Sequence, residues 1–395
     1  MGATDIDVLI VGAGAAGMMA AIEAGRRGRR VRIIDHARAP GEKIRISGGG
    51  RCNFTNLGCG PHAFLGENPR FATSALKRFT QHDFIKRVDQ AGIAWHEKTL
   101  GQLFCDDSAK LIIRMLTDQM REAGVALSLG VSVDRLTRAG DGFDAALSDG
   151  SSLRCASLIL ATGGKSIPKM GATGWAWDTA RALGLRVTET RPALVPLTFE
   201  PGLLERLKPL AGVSVEAVVS HGRTTFAEGL LFTHRGLSGP SVLQISSYWR
   251  EGEAIGLALA PGVEVFAQLK AMKAGNGRQA AHTALGQIVP KRLAEVLVDQ
   301  EGATGNLADL SDKALRRLDQ AVNGWSVKPV GSEGYRTAEV TLGGVATDQL
   351  DQQTMAVKRV PGLYVIGEAV DITGWLGGYN FQWAWSSGWA AGQIA

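Results

Sequence analysis

The chain of 395 residues has little cysteine, few aromatic residues and no apolar run long enough to form a membrane span. Without such a run we expect no integral membrane contact. Four cysteines are too few for a disulfide scaffold, and they contain no CxxC pair of the kind that binds zinc. This cysteine use favours a reducing, cytoplasmic setting. The four are Cys52, Cys59, Cys105 and Cys155.

The charge of the chain is nearly balanced, because 43 Lys and Arg residues face 38 Asp and Glu residues for a net charge of +5. This balance permits an anionic ligand but does not require nucleic acid, which normally shows as a concentrated basic face. The densest basic run, residues 26–30, ends a predicted helix, where cations complement the helix dipole and are solvated. The length of the chain predicts two or three domains.

Residues 8–22 are apolar enough to imitate a secretory signal. However, Asp5 and Asp7 precede them at positions where a signal would carry positive charges. We interpret this stretch as the start of a βαβ unit. It comprises a strand at 8–11, a glycine-rich turn, a helix to about residue 27 and a second strand at 31–34.

The turn of this unit has the spacing Gly12-x-Gly14-x-x-Gly17, and Asp35 follows Gly17 by 18 residues. Gly12 permits a tight turn, Gly14 lets a pyrophosphate approach the backbone, and Gly17 allows the helix to pack closely on the strand. The helix N terminus then offers unpaired N–H groups and a partial positive charge to the phosphates. Asp35 lies where a carboxylate accepts hydrogen bonds from a ribose. The unit predicts dinucleotide binding but does not separate NAD from FAD.

The segment PGEKIRISGGGRCNFTN, residues 40–56, directly follows this unit. In an FAD-binding domain the chain at this point runs from the ribose towards the flavin. Glycines without side chains let backbone amides contact phosphate or ring. Lys43 and Arg51 would offset phosphate charge, and Asn53 and Asn56 would hydrogen-bond polar ring edges. The alternative is a glycine-rich turn in which Arg51 forms an ordinary salt bridge.

Cys52 has two interpretations. A redox-active pair with Cys59 would parallel the flavoprotein disulfide reductases, but those enzymes use a CxxxxC spacing and a C-terminal His–Glu pair. Here six residues separate Cys52 from Cys59, and no histidine follows His282. A packed thiol, or a thiol beside a flavin, is therefore favoured over catalytic disulfide exchange.

These motifs resemble those of the HI0933-like flavoproteins, also called the BaiN/aminoacetone-oxidase-like group of FAD-dependent oxidoreductases. The family hallmark G-x-K-x-x-x-SGGGRCN-x-TN occurs at residues 41–56. The family ending GE-x-x-D-x-x-G-x-x-GGYN-x-QWA-x-SSG occurs at residues 367–388, with Asp371 retained. Glu42 departs from the basic residue common in the family, which affects only a peripheral phosphate contact. The resemblance covers essentially the whole chain and implies an α/β fold class.

The implied architecture is a Rossmann-like FAD-binding domain of the glutathione-reductase-like type with an inserted domain. We assign the FAD-binding domain to residues 1–190 and 335–395 and the insert, which would cap the substrate, to residues 191–334. The insert has a β portion at about 191–262 and a helical portion at about 263–325.

The resemblance to FAD-binding proteins also predicts roles for further motifs. The ATGG run at residues 161–164 would be a second backbone approach to the dinucleotide, and Val133 would contact adenine through its backbone. A late strand at residues 363–366 ends in Gly367 and Glu368, near the ribityl chain in FAD proteins. Residues 377–380 open a C-terminal helix whose positive end would face the flavin N1–C2=O edge. That edge becomes anionic on reduction, so the arrangement raises the reduction potential.

The predicted site residues fall into two groups, and no metal ligand is predicted. The candidate catalytic or pocket residues are Arg51, Cys52, His234, Tyr335 and Asn380. His234 adjoins a glycine-rich turn, in which a purely structural role is the alternative. The predicted FAD-binding residues are Gly12, Gly14, Ala15, Ala16, Gly17, Asp35, His36, Lys43, Ser47, Gly48, Gly49, Arg51, Cys52, Asn53, Val133, Ala161, Thr162, Gly163, Gly367, Glu368, Gly378, Tyr379, Asn380 and Phe381.

Three separate glycine motifs that converge on one elongated ligand favour FAD over a simple NAD dehydrogenase. Because there is no second GxGxxG unit, NAD(P)H would visit the flavin only transiently as a reductant. We therefore predict an FAD-dependent oxidoreductase that transfers hydride through flavin N5. The leading substrate hypothesis is a small organic molecule, with NAD(P)H or oxygen as redox partner. The alternatives are a flavin-dependent reductase of a ribosomal RNA base, similar to a dihydrouridine synthase, and a non-catalytic flavin-binding redox module.

Overall fold

The structure, a computed structural model, describes residues 4–395. The chain divides into two compact units. The first unit comprises the chain up to Arg191 together with Val340–Ala395, and the second is Pro192–Glu339. The domain boundaries at 190/191 and 334/335 stay predictions of the sequence analysis.

The first unit begins with the expected βαβ unit, formed by β1 (Thr4–Val11), α1 (Ala15–Arg26) and β2 (Val31–Asp35). Strand β1 is buried on both faces over Val8, Leu9 and Ile10, as a central parallel strand requires. The elements that follow up to residue 190 are α2 (Glu42–Gly50), β3 (Asn53–Asn56), β4 (Phe64–Leu65), α3 (Ala72–Arg78), α4 (Gln81–Gln90), β5 (Trp95–Glu97), β6 (Gln102–Cys105), α5 (Ala109–Glu122), β7 (Ala126–Leu129), β8 (Val133–Ala139), β9 (Gly142–Leu147), β10 (Ser152–Leu160) and α6 (Trp175–Ala182).

The second unit is built on an antiparallel sheet followed by short helices. Its elements, with a strand that begins at the junction, are β11 (Arg191–Ala193), β12 (Leu197–Thr198), α7 (Pro201–Leu207), β13 (Ser214–His221), β14 (Thr224–Phe232), β15 (Gly236–Ser238), α8 (Pro240–Ser246), β16 (Ile255–Ala258), α9 (Val265–Gly275), α10 (Ala281–Leu285), α11 (Lys291–Gln300), α12 (Asp312–Asn323), β17 (Trp325–Val327) and β18 (Gly331–Ser332). The strand order of its sheet is β17-β16-β13-β14-β15-β12-β18.

The chain then returns to the first unit. The last elements are β19 (Val340–Leu342), β20 (Leu363–Val365), β21 (Thr373–Gly374) and α13 (Tyr379–Gly392). Among the helices of residues 4–395, none combines the length and the apolarity that crossing a bilayer requires.

The central sheet of the first unit has the strand order β7-β2-β1-β10-β9-β8, and β20 also pairs with β10. Strands β7, β2, β1, β10 and β20 run parallel, whereas β9 and β8 form an antiparallel extension. Val11 lies opposite both Ile34 and Leu160, and Leu160 lies opposite Val365. The carboxyl ends of β1, β2, β10 and β20 therefore reach the same edge of the sheet, where ligands of such folds bind.

Helices α1 and α13 pack with their backbones in close contact. A Cβ atom at Gly388 of α13 would overlap the carbonyl oxygen of Ala16 in α1. A Cβ atom at Gly392 would lie 2.7 Å from the carbonyl oxygen of Ala20. The small residues of α13 are therefore required by the approach of the two helices.

Two tryptophans of α13 donate hydrogen bonds to the backbone of neighbouring elements. Trp383 Nε1 donates to the carbonyl of Gly367 at 2.9 Å, and Trp385 Nε1 donates to the carbonyl of Phe54 at 2.8 Å. The ring of Trp385 also stacks on Phe84, with 4.3 Å between centroids. Both tryptophans are buried; Trp383 connects the last helix to the turn after β20, and Trp385 connects it to β3 and α4.

A buried carboxylate connects α1 to α4 and to the end of α13. Glu23 is 7% exposed and accepts hydrogen bonds from Arg87 Nη2 at 2.5 Å and from Gln393 Nε2 at 2.8 Å. Arg27 Nη1 donates to the carbonyl of Gly392 at 3.1 Å. Arg27, in the basic run that ends α1, thus also provides a hydrogen-bond donor for a carbonyl at the C terminus of α13, where cations complement the helix dipole.

Replacing Gly388 by Ala tests the packing of α1 against α13. The new methyl group meets a backbone oxygen, so we expect the free energy of unfolding to fall by about 1–3 kcal/mol and the thermal midpoint to fall with it. Gly275→Ala is the matched control, because Gly275 ends α9 and its Cβ would meet no atom within 4 Å. Scanning calorimetry compares the two, and a wild-type midpoint for Gly388→Ala would contradict the close packing.

Candidate functional site

Four backbone turns meet at the carboxyl edge of the central sheet, after β1, β2, β10 and β20. A Cβ atom on Gly12, whose φ is +111°, would overlap the carbonyl oxygen of Ala161. A Cβ atom on Gly367 would lie 2.9 Å from the Cβ of Ala16. The fold thus brings the GxGxxG, ATGG and GE motifs into mutual contact, although about 350 residues separate the first from the last.

The N terminus of α1 is open to a ligand. Gly14 is its N-cap residue, and within residues 4–395 no side chain caps it. A Cβ atom on Gly14 would meet no atom within 4 Å, whereas one on Gly17 would overlap the carbonyl oxygen of Gly12. Gly17 therefore serves helix packing and Gly14 leaves room at the helix end. Ala15 and Ala16 place the amides of the first turn there, where an anion is stabilised.

Asp35 is bound to the glycine turn itself. Its Oδ2 accepts a hydrogen bond from the Ala13 amide at 2.7 Å, and its Oδ1 accepts one from the Ala37 amide at 2.8 Å. The carboxylate therefore supports the turn in addition to the role predicted for it. The contact of Asp35 with a ribose stays a prediction.

Residues 47–49 interrupt α2 and expose its backbone. Ser47 leaves the helical region with ψ 148°, and Gly48 and Gly49 take left-handed conformations with φ of 57° and 66°. A Cβ atom on Gly48 would lie 2.7 Å from the Phe104 ring, whereas one on Gly49 or Gly50 would meet no atom within 4 Å. Gly48 is thus needed for packing, while the next two glycines leave open backbone that a ligand can approach.

Lys43, which we expected to offset phosphate charge, forms an ion pair within the chain. Its Nζ lies 2.6 Å from Glu368 Oε2 and 2.5 Å from Ser166 Oγ. Glu368 Oε1 accepts a further hydrogen bond from the Thr341 amide at 2.8 Å. A phosphate contact by Lys43 stays a prediction, and such a contact would share the ammonium with Glu368.

Cys52 is fully buried with φ +52°, at the end of the segment that carries the three glycines. Burial raises the pKa of its thiol far above the ordinary value, although a hydrogen bond with Ser47 opposes the shift. Burial also raises the pKa of the Cys59 thiol to about 12. Because the thiolate is the nucleophile, both thiols are poorly reactive at neutral pH. This geometry agrees with a packed thiol at Cys52.

The hydroxyl of Thr162 fits a bound dinucleotide. Its Oγ1 is buried, and residues 4–395 provide it with no hydrogen-bond partner. Thr162 lies within the ATGG motif, where the four turns meet. A buried polar group without a partner costs about 1–3 kcal/mol. FAD offers phosphate and hydroxyl oxygens, so the unpaired hydroxyl and the open backbone at Gly14 and Gly49 together suit this cofactor.

The start of α13 is held close to β3. Gly378 is the N-cap with φ +96°, and its Cβ would overlap the carbonyl oxygen of Thr55. Asn380 Oδ1 accepts a hydrogen bond from the Gly374 amide at 2.8 Å, and Asn380 Nδ2 donates to the Gly374 carbonyl at 2.9 Å. In this structure Asn380 fixes the loop before the helix. A contact of Asn380 with substrate stays a prediction.

The remaining predicted residues lie in both units. His234 is exposed and Tyr335 is half-buried, and both belong to the second unit, so their roles towards a flavin stay predictions. Those of the first unit lie at the ends of elements: His36 after β2, Arg51 after α2, Asn53 at the start of β3, Val133 at the start of β8, Gly163 after β10, and Tyr379 and Phe381 in the first turn of α13.

Two residues of the ion-pair network were not predicted from the sequence, Ser166 through its side chain and Thr341 through its backbone amide. Ser166 follows the ATGG run directly after Lys165, so its proximity to that motif was a usable signal. Thr341 lies 27 residues before Glu368, in a segment that carries no recognised motif. Only the fold places Thr341 at the site.

Comparisons with known proteins agree with the motifs. A family model described as the HI0933-like protein Rossmann domain matches residues 6–394. The chain is 51% identical over 393 residues to the ribosomal RNA dihydrouridine synthase of Escherichia coli K12, covering 98% of this chain and 97% of that protein. It is 30% identical over 408 residues to the 3-dehydro-bile acid delta(4,6)-reductase of Clostridium scindens, covering 98% of each.

A solved structure has a similar fold at low sequence identity. The 3-ketosteroid-delta4-(5alpha)-dehydrogenase of Rhodococcus jostii RHA1, in complex with 4-androstene-3,17-dione, matches with a TM-score of 0.50 and 16% identity. The match covers 98% of this chain and 97% of that chain. It supports the Rossmann-like architecture expected from the sequence.

Thr162→Val tests whether the buried hydroxyl binds the cofactor. We expect the affinity of the deflavinated protein for FAD to fall about tenfold, because one hydrogen bond is lost. The thermal midpoint of the deflavinated protein should stay the same or rise, since the variant removes an unpaired polar group. Thr162→Ser, which keeps the hydroxyl, is the control. Flavin fluorescence titration measures the affinity, and unchanged binding by Thr162→Val would contradict the assignment.

The reactivity of Cys52 tests its raised pKa. A thiol whose pKa lies far above its usual value is almost wholly protonated at pH 8, so alkylation of native protein by iodoacetamide should be at least about 100-fold slower than in guanidinium. Peptide mass mapping of a labelling time course measures the rate at each cysteine. Native labelling of Cys52 at the unfolded rate would instead indicate an accessible thiolate.

Proposed function

The chain belongs to the HI0933-like family of FAD-dependent oxidoreductases, and from this premise we propose that it reduces a uridine of ribosomal RNA to dihydrouridine. The observation that carries the proposal is the 51% sequence identity, over 98% of this chain, to a relative named for that reaction. The proposal selects the RNA alternative over the small organic substrate that led the sequence analysis. Membership in an enzyme family also argues against the non-catalytic module.

The chemistry of the two named relatives supports a reductase. One acts on a ribosomal RNA base and the other is a delta(4,6)-reductase of a 3-dehydro-bile acid. The C5=C6 bond of uridine is conjugated to the C4 carbonyl, so its reduction is a conjugate addition. The π bond is lost, C6 gains a hydride and C5 gains a proton. FAD, when bound, supplies the two-electron carrier for this chemistry.

The two electrons must come from a donor outside the chain. We propose a reduced nicotinamide dinucleotide that visits the site transiently and leaves oxidised. Among the motifs of the chain, only the first GxGxxG unit has the form of a dinucleotide site, and it suits the FAD. The proposal therefore assigns no second resident cofactor.

The protein would bind the cofactor mainly through its own backbone N–H groups. The N terminus of α1, with Gly14 open, would hold the pyrophosphate, and Thr162 would donate or accept one hydrogen bond. The N terminus of α13, capped by Gly378, would place a partial positive charge beside the flavin. Such a charge stabilises the anionic reduced form and favours uptake of hydride.

A second candidate is reduction of a small unsaturated ring compound. The 30% identical bile acid reductase, matched over nearly its full length, favours this candidate. Both candidates require the same reduced cofactor and differ only in the substrate.

Deletion of the gene tests the RNA substrate. Nucleoside mass spectrometry of ribosomal RNA should show one dihydrouridine lost in the deletion strain and restored by the wild-type gene. Gly14→Val should not restore it, because its side chain fills the open space at the end of α1. Gly275→Val, which adds the same side chain at another open glycine, should restore it.

The reaction should also proceed with purified components. Protein-free ribosomal RNA from the deletion strain should gain dihydrouridine when wild-type enzyme and NADPH or NADH are added. If neither the strain nor the purified reaction shows the nucleoside, while the flavin is bleached by NAD(P)H, the small-molecule candidate replaces the RNA proposal.

A further inference from the structure

A basic cleft of about 330 Å³ lies in the first unit, away from the four turns. Four cationic side chains line it: Arg26 from the end of α1, Arg78 from the end of α3, and Lys86 and Arg87 from α4. Arg26, Arg78 and Lys86 are exposed. Neither the GxGxxG unit nor the ATGG, SGGG and GE motifs contribute to it, so the cofactor site does not explain this cluster.

Two aromatic rings in the cleft hold the guanidinium groups in place. Arg78 lies over the Trp389 ring at 5.0 Å from its centroid, and Arg87 lies over the Phe79 ring at 5.1 Å. Trp389 and Phe79 themselves stack, with 6.0 Å between centroids and 24° between planes. Each of the two arginines thus lies over one of two neighbouring aromatic rings. A stacked guanidinium loses less conformational freedom when it binds an anion.

The cleft keeps an excess of positive charge. Asp83 also lines it, but this carboxylate accepts hydrogen bonds from the Thr80 amide and hydroxyl in the capping box of α4. Glu23, which is buried, pairs with Arg87 at 2.5 Å and with Arg26 at 3.4 Å. Arg78 Nη1 donates to the Gln353 carbonyl at 2.5 Å, which orients its remaining donors without neutralising its charge. Four cations therefore face two carboxylates, Asp83 in the lining and the buried Glu23, and the cluster keeps an excess of positive charge.

The cleft lies at the opposite end of α1 from Gly14. Helix α1 has 12 residues, so at about 1.5 Å per residue the two ends are roughly 18 Å apart. An RNA strand extends much further than this, whereas a free nucleotide or a small ring compound does not. Because the Gly14 end is proposed to hold the cofactor pyrophosphate, a substrate that reacts beside the cofactor and also reaches the cleft must be extended, as an RNA strand is.

We propose that this cleft, which we call the α1–α4 cleft, binds the phosphate backbone of the RNA substrate. This inference rests on the proposed function for the identity of the polyanion. Arginine forks match phosphate oxygens bidentately, and phosphate contacts position a nucleic acid without reading its sequence. The cleft suits a lipid surface less well. Guanidinium groups lie over the aromatic rings of the cleft, so these rings do not form an apolar face for a membrane.

The double variant Arg78→Gln with Lys86→Gln tests the α1–α4 cleft. Binding of protein-free ribosomal RNA is measured by fluorescence anisotropy over a series of KCl concentrations. Loss of two phosphate contacts should lower the slope of log K against log salt by about 1.5 and weaken binding at low salt about tenfold. KM for RNA should rise while kcat and the flavin spectrum stay as in wild type.

The matched control is Arg135→Gln with Arg138→Gln, on the edge strand β8. Arg138 lies over the Phe143 ring at 5.6 Å from its centroid and donates to the Pro361 carbonyl. Its replacement by Gln therefore removes contacts like those of Arg78 and the same charge. The control should bind RNA as wild type does. If the first double variant fails to fold, Lys86→Glu alters one exposed side chain and should weaken binding by itself.

Several outcomes would overturn the inference. These are wild-type RNA binding by the cleft variant, equal losses in the cleft and control variants, and binding of wild-type protein to anionic phospholipid vesicles but not to RNA. The proposed function is judged separately by dihydrouridine formation. If the cleft variant loses RNA binding but wild-type enzyme forms no dihydrouridine, the cleft assignment stands and the proposed reaction fails.

Discussion

Direct contact between backbone segments that are far apart in the chain is the constraint on which the candidate site depends. Gly12 touches the carbonyl of Ala161, and Gly367 touches Ala16, so that no side chain fits between these turns. Because β1, β10 and β20 are parallel and in register, one added methyl group would displace two strand ends together. The motifs that make the fold possible are therefore the same motifs that leave open backbone, although different glycines do the two: Gly12 and Gly17 are needed for packing, and Gly14 leaves room for a ligand.

The electrostatic character of the site follows from this construction. Lys43 is paired with Glu368, so a ligand phosphate would share its charge with that carboxylate. In the proposed function the attraction for an anion would come mainly from the helix N termini of α1 and α13, whose dipoles cannot be neutralised by a moving side chain. The α1–α4 cleft is built in the opposite way, from charged side chains, two of which lie over aromatic rings.

The parts of this molecule that could be predicted from sequence are those set by local pattern. The βαβ unit, the break at the three glycines and the last helix all depend on residues within one short segment, and the structure contains each of them. The pairing of Lys43 with Glu368, and the bond from Thr341, join segments that no spacing rule connects. The stack of Arg78 on Trp389 is of the same kind. Such contacts depend on where the elements pack, which local composition does not encode.

The discontinuity of the first unit has a consequence for how the protein matures. Helix α13 supplies Ser387, whose hydroxyl accepts a hydrogen bond from the Gly367 amide at 3.0 Å, and this helix is synthesised after the whole second unit. The opening βαβ unit is synthesised long before α13. Until α13 packs against it, the face of α1 that α13 later covers is exposed to solvent. The turn at Gly367 therefore gains its support from α13 only after the whole second unit has been synthesised.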